Sequence, residues 1–196
     1  MRFLRDALIT IVVLVLVVWV VVYVRLRAGA LTADAEPGGI ERAVASRLVR
    51  LSIPADVGRH QNPFAADPTA WRGAAEHYAD HCAICHGRDG HGKTEMGQNM
   101  YPKVPDLADQ GIQRFSDGAL FYIIQNGVRW TGMPAWKNEH SAEETWKLVS
   151  LIRKIPSLTP QELESLEKES HKESPEPNKK PTGHEHKHPD SSRTPQ

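Results

Sequence analysis

Cys82-Ala83-Ile84-Cys85-His86 constrains this chain more than any other stretch. The C-x-x-C-H spacing is the signature of covalent c-type haem attachment. Two thiols one helical turn apart can each add to a vinyl group of the porphyrin, and the imidazole that follows then meets the iron from one face. The sequence has only these two cysteines among its 196 residues, so no disulfide competes for them. A thioredoxin-like redox pair would want a strand before the motif, whereas the residues there are helically patterned. A structural zinc site normally takes four side-chain ligands, and no second cysteine pair exists to complete one.

An electron-transfer haem needs a second axial ligand on the opposite face. Gly132-Met133-Pro134 offers one. Pro134 removes a donor and stiffens the backbone beside the thioether, while Gly132 permits close approach to the porphyrin. Met133 lies far enough beyond His86 for a helix to intervene and bring its loop round. Met96 and Met100 are rivals, but they follow His86 too closely to wrap to the far face, and they read as padding at the haem edge or surface.

Helical signals surround these points. Asp67-Pro68-Thr69 opens a helix whose apolar face is Trp71, Ala74, Ala75, Tyr78 and Cys82, so the cysteines ride on its end. His77 and His81 lie near that face and read as helix-surface histidines rather than ligands. Residues 87 to 112 form a Gly/Pro-rich loop that needs something to pack on, and a haem face supplies it. Ser116 to Asn126 is the next helix, stopped by Gly127. Ser141-Ala142-Glu143-Glu144 is a capping box that opens the last helix, with Thr145, Leu148, Val149, Ile152 and Ile155 inward and Pro156 ending it. Trp146 is expected to cross the first helix near Ala74 and Tyr78.

The flanks are of different character. Ala7 to Val24 is an uncharged run of 18 residues rich in Val, Leu and Ile, which as a helix spans about 27 Å, close to the hydrocarbon thickness of a bilayer. Trp19 and Tyr23 suit the interfacial aromatic belt. Ala28-Gly29-Ala30 resembles a cleavage site, yet the apolar run exceeds a usual signal core and Arg25 and Arg27 follow it at once, so an uncleaved anchor is expected over residues 1–27. Arginines nearly balance on its two sides, so charge does not set its orientation. Residues 28–66 form a linker containing a short basic amphipathic helix (Ile40, Ala43, Val44, Leu48 and Leu51 at helical spacing, with Arg42, Arg47 and Arg50 between them), fit for a membrane surface, a partner subunit or plain solvent. Residues 67–157 are the compact domain. From residue 158 to 196 the chain reads as a disordered charged tail, whose His184, His186 and His188 could bind a transition metal weakly. Charge is balanced, with 24 basic and 24 acidic residues, which gives no nucleic-acid-binding surface.

Residues 60 to 157 resemble a bacterial class I cytochrome c domain of the single-haem kind associated with respiratory oxidases and with alcohol or sugar dehydrogenases. The resemblance rests on Tyr78-Ala79-Asp80-His81-Cys82-Ala83-Ile84-Cys85-His86-Gly87, Pro105-Asp106-Leu107, Asn126-Gly127 and Thr131-Gly132-Met133-Pro134-Ala135-Trp136. It implies an all-α fold around one haem c, held through Cys82 and Cys85, with His86 as proximal and Met133 as distal ligand. The family usually carries glycine where this chain has Ala74, with Gly73 before it, so a slightly wider helix crossing is expected. In bacteria covalent haem is attached outside the cytoplasmic membrane, which implies an N-terminus inside and the haem domain outside. The expected function is electron transfer between respiratory partners, as a membrane-tethered carrier or as a subunit of a larger complex, rather than enzymatic chemistry on a substrate. The rival readings are a haem sensor or ligand-binding or peroxidatic haem protein, and a structural or assembly subunit.

Overall fold

The computed structural model describes residues 2–33 and 35–169, with the backbone alone for 167–169. Every regular element among the described residues is helical, as expected for an all-α chain.

Helix α1, Arg2–Arg27, is long and apolar enough to cross a membrane, with a mean hydropathy of 3.2 over its most apolar window. None of its residues is buried against the rest of the chain, so its apolar surface has no partner within the molecule. Helix α2, Gly39–Ser52, covers the expected linker helix. Its apolar residues Ile40, Val44, Leu48 and Leu51 stay exposed. It meets the domain through polar groups instead: the Arg50 guanidinium lies 4.2 Å from the Phe115 ring centroid and donates to the Gly111 carbonyl at 3.2 Å, and the Tyr101 hydroxyl donates to Glu41.

The compact domain begins with a 3₁₀ turn, Val57–Arg59, packed on the helix over 117–126, and continues through Asn62, a buried amide that donates to the Trp146 carbonyl at 3.0 Å and to Ser150 at 2.8 Å. The helix opened by Asp67 starts as a 3₁₀ segment, Ala70–Ala74, and becomes α3, Ala75–His81. The Asp67 carboxylate accepts from both the backbone N–H and the hydroxyl of Thr69, which turns the chain into this segment. Four shorter elements follow: α4, Ala83–His86; α5, Glu95–Gln98; α6, Gln110–Gln113; and α7, Asp117–Asn126. Ser116 caps α7, its hydroxyl accepting from the Ala119 N–H.

Helix α8, Ala142–Lys154, is the central packing element. Both halves of its capping box are present, Ser141 Oγ accepting from the Glu144 N–H and Glu144 accepting from the Ser141 N–H. It lies across the 70–74 segment and against α7, burying Thr145, Leu148, Val149, Leu151 and Ile152 on Trp71, Ala74, Tyr78, Leu120 and Ile124. Each such aliphatic side chain contributes on the order of 2 kcal/mol of burial. Ala74 is almost fully buried, and the side chain of Lys147 lies where a methyl on Gly73 would make a tight contact. Arg153, near the end of α8, donates to Asp117 at 2.9 Å and to the carbonyls of Gln113 and Phe115, tying α8 to the segment between α6 and α7. A 3₁₀ turn, Ile155–Ser157, contains Pro156 and closes α8.

Trp146 stacks on Phe121, with ring centroids 4.3 Å apart, and packs against the core cluster that includes Ala74 and Tyr78. The expectation of a tail from residue 158 is corrected. Order extends beyond residue 157. Helix α9, Pro160–Glu169, packs on α3 with Leu166 buried and Leu163 half-buried. Thr159 and Glu162 form its N-terminal box, and Glu162 also pairs with Lys154 at 2.9 Å. Thr159-Pro160-Gln161-Glu162 had carried that signal, outweighed by the charged composition around it. The rest of the expected tail, with His184, His186 and His188, lies outside the described residues.

Candidate functional site

Cys82 stands at the junction of α3 and α4, ending the first and opening the second. Its carbonyl accepts from the N–H groups of Cys85 and His86, so the five-residue motif is one tight turn. Both cysteines are free and half-buried. Burial, reinforced by Cys85, pushes the Cys82 thiol up to about 12, so in the unmodified chain it is neutral at physiological pH.

The loop after the motif is bound back onto it. The Gly92 N–H donates to the His86 carbonyl at 2.6 Å, Thr94 Oγ1 to the Cys85 carbonyl at 3.0 Å, and the Leu107 N–H to the Gly90 carbonyl at 2.8 Å. Behind it the buried Tyr78 hydroxyl donates to the Gly87 carbonyl at 2.7 Å, and burial drives the Tyr78 pKa up. The segment therefore keeps its shape through backbone bonds despite having little helix of its own.

On the other side, Met133 sits in a loop in which residues 128–139 include no buried side chain. The loop is shaped by Val128 N–H to the Met133 carbonyl at 3.1 Å and by Met133 N–H to Thr131 Oγ1 at 3.1 Å. It is laid on the end of α7 by bonds from the N–H groups of Trp136 and Lys137 to the carbonyls of Ile124 and Gln125. Gly127 makes this possible: its φ is +66°, and a β-carbon there would come 2.6 Å from the Pro134 carbonyl carbon. A β-carbon on Gly132 would meet the Met100 thioether, at 2.7 Å from Cε and 2.8 Å from Sδ. Met100 is thus a direct neighbour of the Met133 loop, closer than its place in the sequence suggests, whereas Met96 is exposed.

The residues fit a covalently held haem. His86 Nδ1 is buried without a hydrogen bond, and among buried polar atoms such orphans are rare. Burial lowers the His86 pKa and so favours the neutral imidazole an iron requires, outweighing the Pro105 carbonyl, which acts in the opposite sense. Ile84, Met96 and Trp130 are large apolar side chains left exposed in a domain that otherwise buries such groups, as expected where an apolar group is to be covered.

An all-helical domain with a C-x-x-C-H turn at the end of its first helix, packed under its last, is the class I c-type cytochrome architecture, and the segment is such a domain. Residues 69–152 match the family described as cytochrome C oxidase, cbb3-type, subunit III. The match supports a haem-based electron-transfer cytochrome. It covers less than half of the chain, leaving α1, α2 and α9 outside it.

A second group of polar side chains was not foreseen as a unit. His81 is exposed, as expected, but His77 is half-buried with Nε2 unpartnered. Both approach His140, which is 4% exposed and has both ring nitrogens buried and unpartnered. Burial, with His77 and His81 nearby, lowers the His140 pKa to about 4, and burial lowers that of His77. The spacing of His77 and His81, four apart on one helix, was the signal available in the sequence; nothing local pointed to His140.

Proposed function

We propose that this protein is a membrane-tethered monohaem cytochrome that passes electrons between respiratory partners on the outer side of the cytoplasmic membrane. It acts as a carrier or as a subunit of an oxidase-type complex, without catalysing a reaction of its own on a substrate. The observation that carries this reading is the C-x-x-C-H turn fixed at the end of α3, together with a methionine loop held on the end of α7. In this reading residues 1–27 are the anchor, 28–66 the linker, and 67–157, extended by α9, the haem domain. Donor and acceptor are subunits of a respiratory complex or soluble redox proteins.

Cys82 and Cys85 would hold haem c by thioether bonds, with His86 and Met133 as the protein ligands to its iron. Bound in this way, the haem supplies one-electron chemistry at a potential raised by methionine ligation. The chain's part is to keep both ligands in place. The bonds from Gly92 and Thr94 hold the His86 turn, the bond from Thr131 holds Met133, and Pro134 stiffens the chain beside it. With His86 and Met133 both serving as ligands, the chain would leave no place on the haem for a small molecule.

Met133→Ala tests the assignment. The haem is expected to stay attached, the midpoint potential to fall, and the reduced protein to bind carbon monoxide. Met100→Ala is the control and is expected to leave the ligand field unchanged. An unaltered spectrum in Met133→Ala, with loss of the methionine signature in Met100→Ala, would transfer the ligand role to Met100. Carbon monoxide binding by the reduced parent protein would favour a sensor or peroxidatic function instead.

A further inference from the structure

Helix α3 runs into the haem-attachment turn on one side of the domain, and the segment before α8 passes beside it. Where they meet stand His77 and His81 from α3 and His140 from that segment. One ring nitrogen from each lies within 4.8 Å of the others. The ring centroids of His77 and His140 are 4.0 Å apart, those of His77 and His81 4.8 Å, and those of His81 and His140 5.6 Å. Trp136 stacks on His140 with centroids 4.6 Å apart and fixes its ring plane.

Three nitrogens of this cluster, His77 Nε2 and both of His140, are buried without a hydrogen-bond partner. A buried polar atom left unpaired costs about 1–3 kcal/mol. The rings meet tilted or edge-on without hydrogen-bonding to one another, so the cluster is unsatisfied as it stands, and a cation accepting a lone pair from each imidazole relieves His77 Nε2 and one of the two His140 nitrogens. Two histidines four apart on one helix face are a metal-ligand spacing in their own right. His77 also lines a cleft with Glu76, Asp80 and Glu144, whose carboxylates favour a cation there.

We propose that His77, His81 and His140 form a binding site for a first-row divalent metal ion of the zinc class, separate from the haem. Imidazole nitrogens bind Zn²⁺ at about 2.0–2.1 Å, which places tetrahedral ligands roughly 3.3 Å apart. Closing from 4.8 Å needs a movement of about 1.5 Å at the widest pair. His81, on the exposed side of the cluster, can make it. Three protein ligands leave a fourth position for water or for a carboxylate of the acidic cleft. The bound ion joins α3 to the segment between the Met133 loop and α8, stapling together the two parts of the chain that the proposed haem ligands come from.

The test uses the full-length haem-loaded protein in detergent, stripped with chelator, with His184→Ala, His186→Ala and His188→Ala introduced together so that the closely spaced histidines near the C-terminus do not contribute. Zn²⁺ alone is the probe because it does not exchange electrons with haem. Calorimetric titration is expected to give one equivalent bound, and the melting temperature is expected to rise with added Zn²⁺. His81→Gln and His140→Gln should each weaken binding at least tenfold while leaving the haem spectrum unchanged. His81 is exposed, so its variant keeps the test valid if His140→Gln fails to fold. No stoichiometric binding in the reference protein, or binding in His81→Gln within threefold of it, would overturn the proposal. Neither readout depends on electron transfer, so failure here and failure of the haem assignment are distinguishable.

Discussion

Replacing Leu166 with alanine probes whether the domain extends past the segment that matches the cytochrome family. Leu166 is 3% exposed and sits where α9 rests on α3. Buried leucine-to-alanine changes cost about 2–5 kcal/mol, the lower values belonging to sites that can collapse around the missing methyls. Helix α9 is held on one face only, with Leu163 half-buried beside Leu166, so the site can partly close and a loss of about 2–3 kcal/mol is expected. The measurement is guanidinium denaturation of the haem-loaded protein followed by far-ultraviolet circular dichroism, reading the midpoint at constant slope. Gln161→Ala, on the exposed side of the same helix, is the control and should lie within about 0.5 kcal/mol of the parent. A Leu166→Ala protein no less stable than Gln161→Ala would refute the reasoning: α9 would then contribute no docking free energy, and the compact unit would end near residue 157.

Two further outcomes follow from single side chains. Tyr78→Phe removes the donor to the buried Gly87 carbonyl and is expected to destabilise the domain by about 1–2 kcal/mol with haem attachment retained; unchanged denaturation midpoints would show that the bond contributes nothing. Glu162 accepts from the Thr159 N–H and from Lys154, which holds its carboxyl at about 2, well below the ordinary glutamate range. A depressed folded-state pKa means the unfolded chain binds the proton first, so the stabilisation is present above about pH 4.5 and is lost as pH falls towards 2. The difference in stability between the parent and Glu162→Gln should therefore shrink across that window, and a difference that stays constant with pH would refute it.

The order of the parts sets a helix of membrane-spanning length ahead of the cytochrome-type domain. A helix with no buried residue precedes the domain, and α2 meets that domain through Arg50 and Glu41 while Ile40, Val44, Leu48 and Leu51 stay exposed. Such an arrangement suits the proposed tethered carrier, which must present one edge to more than one partner.

What the sequence determined by itself was what local chemistry dictates. The C-x-x-C-H turn, the caps at Ser116 and Ser141, the stop at Pro156 and the apolar length of residues 7–24 each depend on residues within a few positions of one another, and those signals survive without knowledge of the rest. Periodicity also identified the inward face of α8, though not the stacking of Trp146 on Phe121. Only the tertiary structure decided the contacts between distant segments. It docked α9 on α3, because burial of Leu166 outweighs a composition that reads as disordered. It laid Met100 against Gly132, beside the Met133 loop. It also carried His140 to the flank of α3, where the packing of α8 across the 70–74 segment fixes the approach. Helical spacing states which residues share a face, whereas the partner of that face is chosen by the summed packing of elements far apart in the chain.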